Sequence, residues 1–347
     1  MTLTYRSTSP RTRAARLRIT IAALACLGLA AAGCSSSGGS GSSGVGKKQV
    51  HGEAKVAYAS SLDFLNQKDF FPAFTKATGY PTTDWVDSAG ALEAEIAGNE
   101  IAPNVFESVG GDNITPLEPK FTHWFIQYAS TQMVLAYNPQ SKYASQFKAI
   151  ASGKEPMADL FTLMSKPGFK LGRTDPNIDP QGRGFIFMLE LAQMYYHLPS
   201  DTVGKIIGTP LANPKSPEIF SETSLDATLT SGQLDAASAY RNQAIEQHLP
   251  YIALPSAINL GDFALAGQYA KATVTIDDNG VQTPKSGSPL VLDVTTIGKP
   301  TAASIAFVKY LISPAGRAVC KAGGYTLLTP TATGSGVPAA IRSELGS

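Results

Sequence analysis

Three short segments of this 347-residue chain put hydroxyl or carboxylate side chains where a helical pattern begins. Ser60-Ser61 follows the apolar run Val56 to Ala59. Ser88-Ala-Gly90 opens the segment Ala91 to Ala97, in which Leu92 and Ile96 are spaced as one helix face. Asp179-Pro180-Gln-Gly182 opens a longer stripe carrying Phe185, Met188, Leu189 and Ala192. The first N–H groups of a helix lack carbonyl partners and stand at the positive end of its dipole, so each segment can receive a small anion. The same residues also make ordinary helix starts. Asp at the N-cap with Pro at N1 is complete in itself, Ser88 can cap its own helix, and Gly182 can serve packing alone.

Other chemistry has less to stand on. His51, His123, His197 and His248 are scattered, with no HExxH, GxSxG or GxxxxGK[ST] pattern around them. No motif here calls for catalysis or for a cofactor. Cys320, in the apolar stretch Ala318-Val319-Cys320, is the one thiol expected in the folded part. A single thiol makes neither a disulfide framework nor a metal site, and it is expected to pack as a small hydrophobe.

The elements that must position these segments alternate. Strands are predicted at Val56–Ala59, Asn104–Phe106, Met133–Tyr137, Leu234–Ala239, Tyr251–Leu254 and Leu290–Ile297. Helices are predicted around Phe70, Phe71 and Phe74 with a stop at Gly79, after Asp179-Pro180, and from Thr301 to Ser313. Lys271 to Pro289 reads as a loop or hairpin. Alternation of this kind predicts an α/β architecture with largely parallel sheets.

The N-terminus carries a different signal. Arg11, Arg13, Arg16 and Arg18 precede the apolar run Ile19 to Ala32, which is too short to span a membrane and reads as a signal peptide over residues 1–33. The run ends in Leu29-Ala-Ala-Ala-Gly33-Cys34, which resembles a bacterial lipobox with Ala31 where Leu is preferred. Cys34 is then the lipidated residue, followed over residues 34–50 by a Gly/Ser-rich tether. With 28 Lys+Arg against 27 Asp+Glu, the net charge of +1 provides no field for nucleic acid.

From Ala54 to Pro330 the order of segments resembles the molybdate/tungstate-binding proteins of ABC transporters, in their archaeal-type branch. The stretch from Gly172 to Gly182, GRTDPNIDPQG, carries the resemblance most specifically. It continues through Gln132-Met-Val-Leu-Ala-Tyr137, Ser231-Gly232-Gln-Leu-Asp235, Leu254-Pro255, Ile258-Asn-Leu-Gly261 and Ala306-Phe307 to Ser313. The resemblance implies a two-lobed type II periplasmic binding protein fold with a ligand cleft between the lobes. Residues 51–131 would begin lobe 1, 132–289 would form lobe 2, and 290–347 would return to lobe 1 and end in its C-terminal helix. It implies an extracytoplasmic monomer, lipid-anchored to the membrane, that passes a tetrahedral oxyanion to a permease and its ATPase. Sulfate or another small anion is an alternative ligand, and ferric ion, suggested by Tyr195-Tyr196, is another. That pair falls ~24 Å along the helix from Pro180 at 1.5 Å per residue, away from the cleft end, so packing explains it better.

The resemblance also assigns a site. Ser60, Ser61, Ser88, Asp179, Gly182 and Tyr240 would contact the ligand, with Asp175, Arg183 and Arg241 as further candidates. In that family an Asp and a Glu bind the metal centre of the oxyanion and raise its coordination from four to six. Asp179 would be the Asp. The Glu is expected just before the pair Tyr240-Arg241, where this chain has Ala239. Gly182-Arg183-Gly184 also departs from the family's Gly-Tyr-Arg. One carboxylate fewer and one Arg more would leave a site that holds a tetrahedral anion by hydrogen bonds, with at most one protein oxygen on the metal.

Overall fold

The computed structural model describes residues 51–278 and 280–345; the signal, Cys34 and the tether lie outside the described residues. Twelve strands are present among those described: β1 (Ala54–Ala59), β2 (Thr82–Asp87), β3 (Val105–Val109), β4 (Trp124–Ser130), β5 (Met133–Tyr137), β6 (Leu171–Gly172), β7 (Ala236–Tyr240), β8 (Tyr251–Ala253), β9 (Thr273–Asp278), β10 (Val281–Ser286), β11 (Val291–Thr296) and β12 (Thr326–Gly334). The helices that matter for the site are α1 (Phe71–Thr78), α2 (Ala89–Ala97), α3 (Pro180–Tyr195), α4 (Glu222–Thr230), α5 (Arg241–Glu246), α6 (Ala302–Ile312) and α7 (Pro314–Ala322).

The strands form two main sheets, ordered β12-β4-β11-β3-β1-β2 and β6-β7-β5-β8, and β9 pairs with β10 as a separate hairpin. The expectation of largely parallel sheets needs correcting. β1 pairs parallel with β2 and β3, and β6 with β7, but β11 with β3 and β4, β12 with β4, and β5 with β7 and β8 are antiparallel. The chain crosses from the first sheet to the second between β4 and β5, and returns to the first at β11. A strand reached by such a crossing, without a βαβ connection of its own, is free to run against its neighbours. Apolar spacing marks a strand but carries no direction.

Each sheet is buried under helices, so β1, β5 and β7 read as near-continuous buried runs. Over the first sheet, Phe70 and Phe74 meet Phe307 edge-on at ring-centroid distances of 5.3 and 5.2 Å, and Cys320 is buried in the same core. Helix α1 stops at Gly79, whose φ of 82° gives the left-handed C-cap that glycine adopts without strain. Met133, Leu135, Phe185 and Met188 build the core of the second sheet. That core also takes in Ala59, Ala89 and Val109 from the ends of the first sheet's elements, so the two layers are packed together in a closed arrangement.

Candidate functional site

Two helices bring their N-termini to the junction between the sheets. Helix α3 begins as its residues dictate: Asp179 caps it by accepting the Gln181 N–H at 2.8 Å, and Pro180 fills the first position. Ser88 occupies the N-cap position of α2, yet its hydroxyl makes no capping bond. It is buried and has no hydrogen-bond partner among the described residues. Capping therefore accounts for Asp179 and not for Ser88. Across the junction the Gly90 N–H donates to the Ile178 carbonyl at 3.0 Å. A Cβ at Gly90 would sit 2.5 Å from that oxygen, so glycine is what lets the two segments touch. Gly182 has a similar packing role, because a Cβ there would lie 2.4 Å from the Thr174 carbonyl oxygen.

The cavity at this junction has a volume of about 360 Å3 and is bordered by Ser60, Ser88, Asp175, Asp179 and Glu222. A second cavity of about 420 Å3 shares Ser60 and Glu222 with it and adds Ser61, Asp63, Asp226, Gln243 and Glu246. Ser60 thus borders both, while Ser61 borders only the second. Asp175 turns toward its own loop, accepting from the Asn177 backbone and side-chain nitrogens at 3.0 and 2.7 Å. Tyr240 ends β7 fully buried, and its hydroxyl has no partner among the described residues. Burial, then the charges of Asp179 and Glu222, push that phenol well above its ordinary range, so it holds its proton and can donate it in a hydrogen bond.

The residue that sequence reasoning missed is Glu222. It opens α4 and is buried, and its Oε1 accepts from Gln181 Nε2 at 2.9 Å and Gln243 Nε2 at 2.5 Å. Gln181 also donates to Gln243 Oε1 at 2.8 Å and accepts from Ser238 Oγ at 3.0 Å, so an amide network fixes the carboxylate. Burial, then the charge of Asp179, raises Glu222 well above the usual carboxylate range. Asp179 itself is raised to about 6 by burial, against the lowering effects of the Gln181 N–H and Arg183. In sequence Ser221-Glu222 is only a helix start, and nothing in its spacing says that this start faces the cleft.

Position 239 is a correction. β7 alternates, so Ser238 and Tyr240 face α3 while Ala237 and Ala239 face the other way, into the apolar cluster of Val134, Leu225 and Leu229. A side chain at 239 points away from the site, and a missing carboxylate there takes nothing from it.

Arg183 and Arg241 are both drawn into contacts across the junction. Arg183 is buried, donating to Asn113 Oδ1 at 3.2 Å and the Pro176 carbonyl at 3.4 Å, with Asp112 at 3.7 Å. Arg241 donates to the Gly324 carbonyl at 3.0 Å and lines neither cavity. Tyr195 is half exposed at the far end of α3, in a separate surface pocket with Met194, His197 and Lys271. Among the described residues no group of three or more His, Cys, Asp or Glu is placed to hold a metal ion, and no helix is long and apolar enough to cross a membrane.

Two packed α/β layers with polar groups converging between them are the architecture of two-lobed binding proteins. The periplasmic molybdate-binding protein of Azotobacter vinelandii superposes with a TM-score of 0.53 at 18% identity, covering 80% of this chain and 100% of that one, which speaks for the fold. A solute-binding protein of Petrotoga mobilis is 29% identical over 294 residues, or 82% of this chain and 86% of its own. The molybdate/tungstate-binding protein WtpA of Thermococcus kodakarensis is 28% identical over 243 residues, 65% of this chain and 66% of its own. The family model of bacterial extracellular solute-binding proteins matches residues 54–326, and this chain belongs to that family of transport proteins, not enzymes.

Proposed function

We propose that this chain is the extracytoplasmic binding component of an ABC importer for a tetrahedral oxyanion whose central metal accepts further ligands, molybdate or tungstate. One observation carries the reading. Asp179 and Glu222, both buried, border the same cavity as Ser60 and Ser88, with the unpartnered Tyr240 hydroxyl close enough to feel both charges. The Ser88 and Tyr240 hydroxyls are donors awaiting an acceptor, while that of Ser60 is engaged with Glu222. Two carboxylates beside a dianion are repulsive unless they bond to its Lewis-acidic centre, which molybdenum and tungsten offer and sulfur in sulfate does not. Glu222 thus supplies the second carboxylate that Ala239 was expected to lack, and six-fold coordination replaces the expected four or five. The relatives named for molybdate and tungstate support the same ligand class.

Residues 51–131 and 290–347 then form one lobe and 132–289 the other, closing by hinge motion for a permease and its ATPase to engage. The chain acts as a monomer held at the membrane through a lipid on Cys34. Calorimetry of the tag-free protein with molybdate, tungstate, sulfate and phosphate tests the ligand class. Binding of the first two with no sulfate heat supports the reading, and a preference for sulfate or phosphate overturns it.

A further inference from the structure

Glu246 is the last residue of α5, the helix that follows Tyr240. It is 8% exposed, and neither carboxylate oxygen makes a well-formed hydrogen bond or an ion pair among the described residues, the Asn242 amide on its own helix being its one weak donor. Its surroundings come largely from the other layer. A Cβ built on Gly323, just past α7, would stand 2.8 Å from Glu246 Oε1 and 2.9 Å from a Leu65 methyl, so the carboxylate packs directly on the backbone of the other layer where only glycine leaves room for it. The titratable groups facing it are Asp69, with Asp63 and Lys68 on the same stretch, Cys320 in α7, Tyr325 beyond it, and Glu222 and Asp226 on α4, which border the same cavity. Lys68 is the one cation among them, and it forms no ion pair with Glu246.

Helix α5 is also tied across the junction. Asn242 Nδ2 donates to the Ser61 carbonyl at 3.2 Å and to Tyr325 Oη at 2.7 Å, and Arg241 to the Gly324 carbonyl at 3.0 Å. Withdrawing α5 from the first layer would break these bonds together and admit water to Glu246. In the closed arrangement the carboxylate oxygens are shielded from solvent with only the Asn242 amide to support them, and ionisation is disfavoured there.

We propose that Glu246 is a proton-binding site coupled to cleft closure: closing the lobes takes up one proton at this carboxylate, and opening them releases it. This rests on the two-lobed reading above and not on the identity of the anion. Burial, then Asp69, pushes Glu246 up to about 8 when closed, whereas a solvated Glu titrates at about 4.3. The closed-state pKa is the raised one, so protonation favours closure. The advantage is complete below about pH 4.3, shrinks by up to about tenfold per pH unit above it, and is gone once pH passes about 8.

Two measurements test it, on the parent, on Glu246→Gln, which copies the neutral side chain, and on Glu246→Met as a second neutral variant. The first is molybdate calorimetry near pH 6.5 in MES and in imidazole, which counts protons from the difference in buffer heats. The parent should take up about one proton more than either variant, beyond whatever Asp179 and Glu222 contribute to all three. Equal counts overturn the proposal. The second is solution X-ray scattering without ligand across roughly pH 5 to 9. The parent should become less compact as pH rises while the variants hold one radius; parallel curves overturn the proposal even if molybdate proves not to be the ligand.

Discussion

Removing the Ser88 hydroxyl should push stability and ligand affinity in opposite directions. In the closed arrangement that oxygen is buried without a partner among the described residues. An unsatisfied buried polar group carries a desolvation penalty of roughly 1–3 kcal/mol, which Ser88→Ala would relieve in part. Because the side chain makes no capping bond, no helix start is lost with it. The variant should therefore be as stable as the parent, or up to about 1 kcal/mol more stable, in urea unfolding without ligand. With an oxyanion bound, the same hydroxyl donates to a charged acceptor, a bond of about 1.5–3 kcal/mol. Its loss should weaken binding by about tenfold to a hundredfold, read by calorimetry. Tyr240→Phe should behave alike, since the phenol oxygen is equally buried and unpartnered. A variant that loses stability and binds as the parent does would mean that these hydroxyls are structural, and the site would have to lie elsewhere.

Two other predictions rest on the same geometry, and a third on the N-terminal sequence. Ala239→Glu should destabilise by about 3 kcal/mol or more without sharpening molybdate selectivity, because it places an unpaired carboxylate in the cluster of Val134 and Leu225; unfolding curves and competition calorimetry check both halves. Gly90→Ala should weaken binding at least about tenfold and enlarge the ligand-bound protein in X-ray scattering, since its methyl meets the Ile178 oxygen. Cys34→Ala should move the protein from the membrane to the soluble fraction, and an unchanged partition would remove the lipid anchor from the account.

The sequence disclosed the elements better than their directions. Asp179-Pro180 announces α3 because capping and proline chemistry are local, and Gly79 announces a helix stop for the same reason. Strand direction is not local, which is why the crossings at β5 and β11 overturned the parallel expectation. Ala239 misled because facing alternates along a strand: 238 and 240 look to the cleft and 239 to the opposite side. Glu222 was invisible for a third reason. Its value lies in Gln181, Gln243 and Asp179, which come from three separate segments and meet it only in the fold. Ser88, in turn, gained weight only once the structure showed its capping bond to be missing.

The most direct test of the central claim is X-ray absorption on the tungstate complex, which reads the number of oxygens around the metal. If Asp179 and Glu222 both reach the tungsten, the parent should show six, and Glu222→Gln should show fewer along with weaker binding. Four oxygens in the parent, unchanged in Glu222→Gln, would contradict the account and leave a site that holds its anion by hydrogen bonds alone.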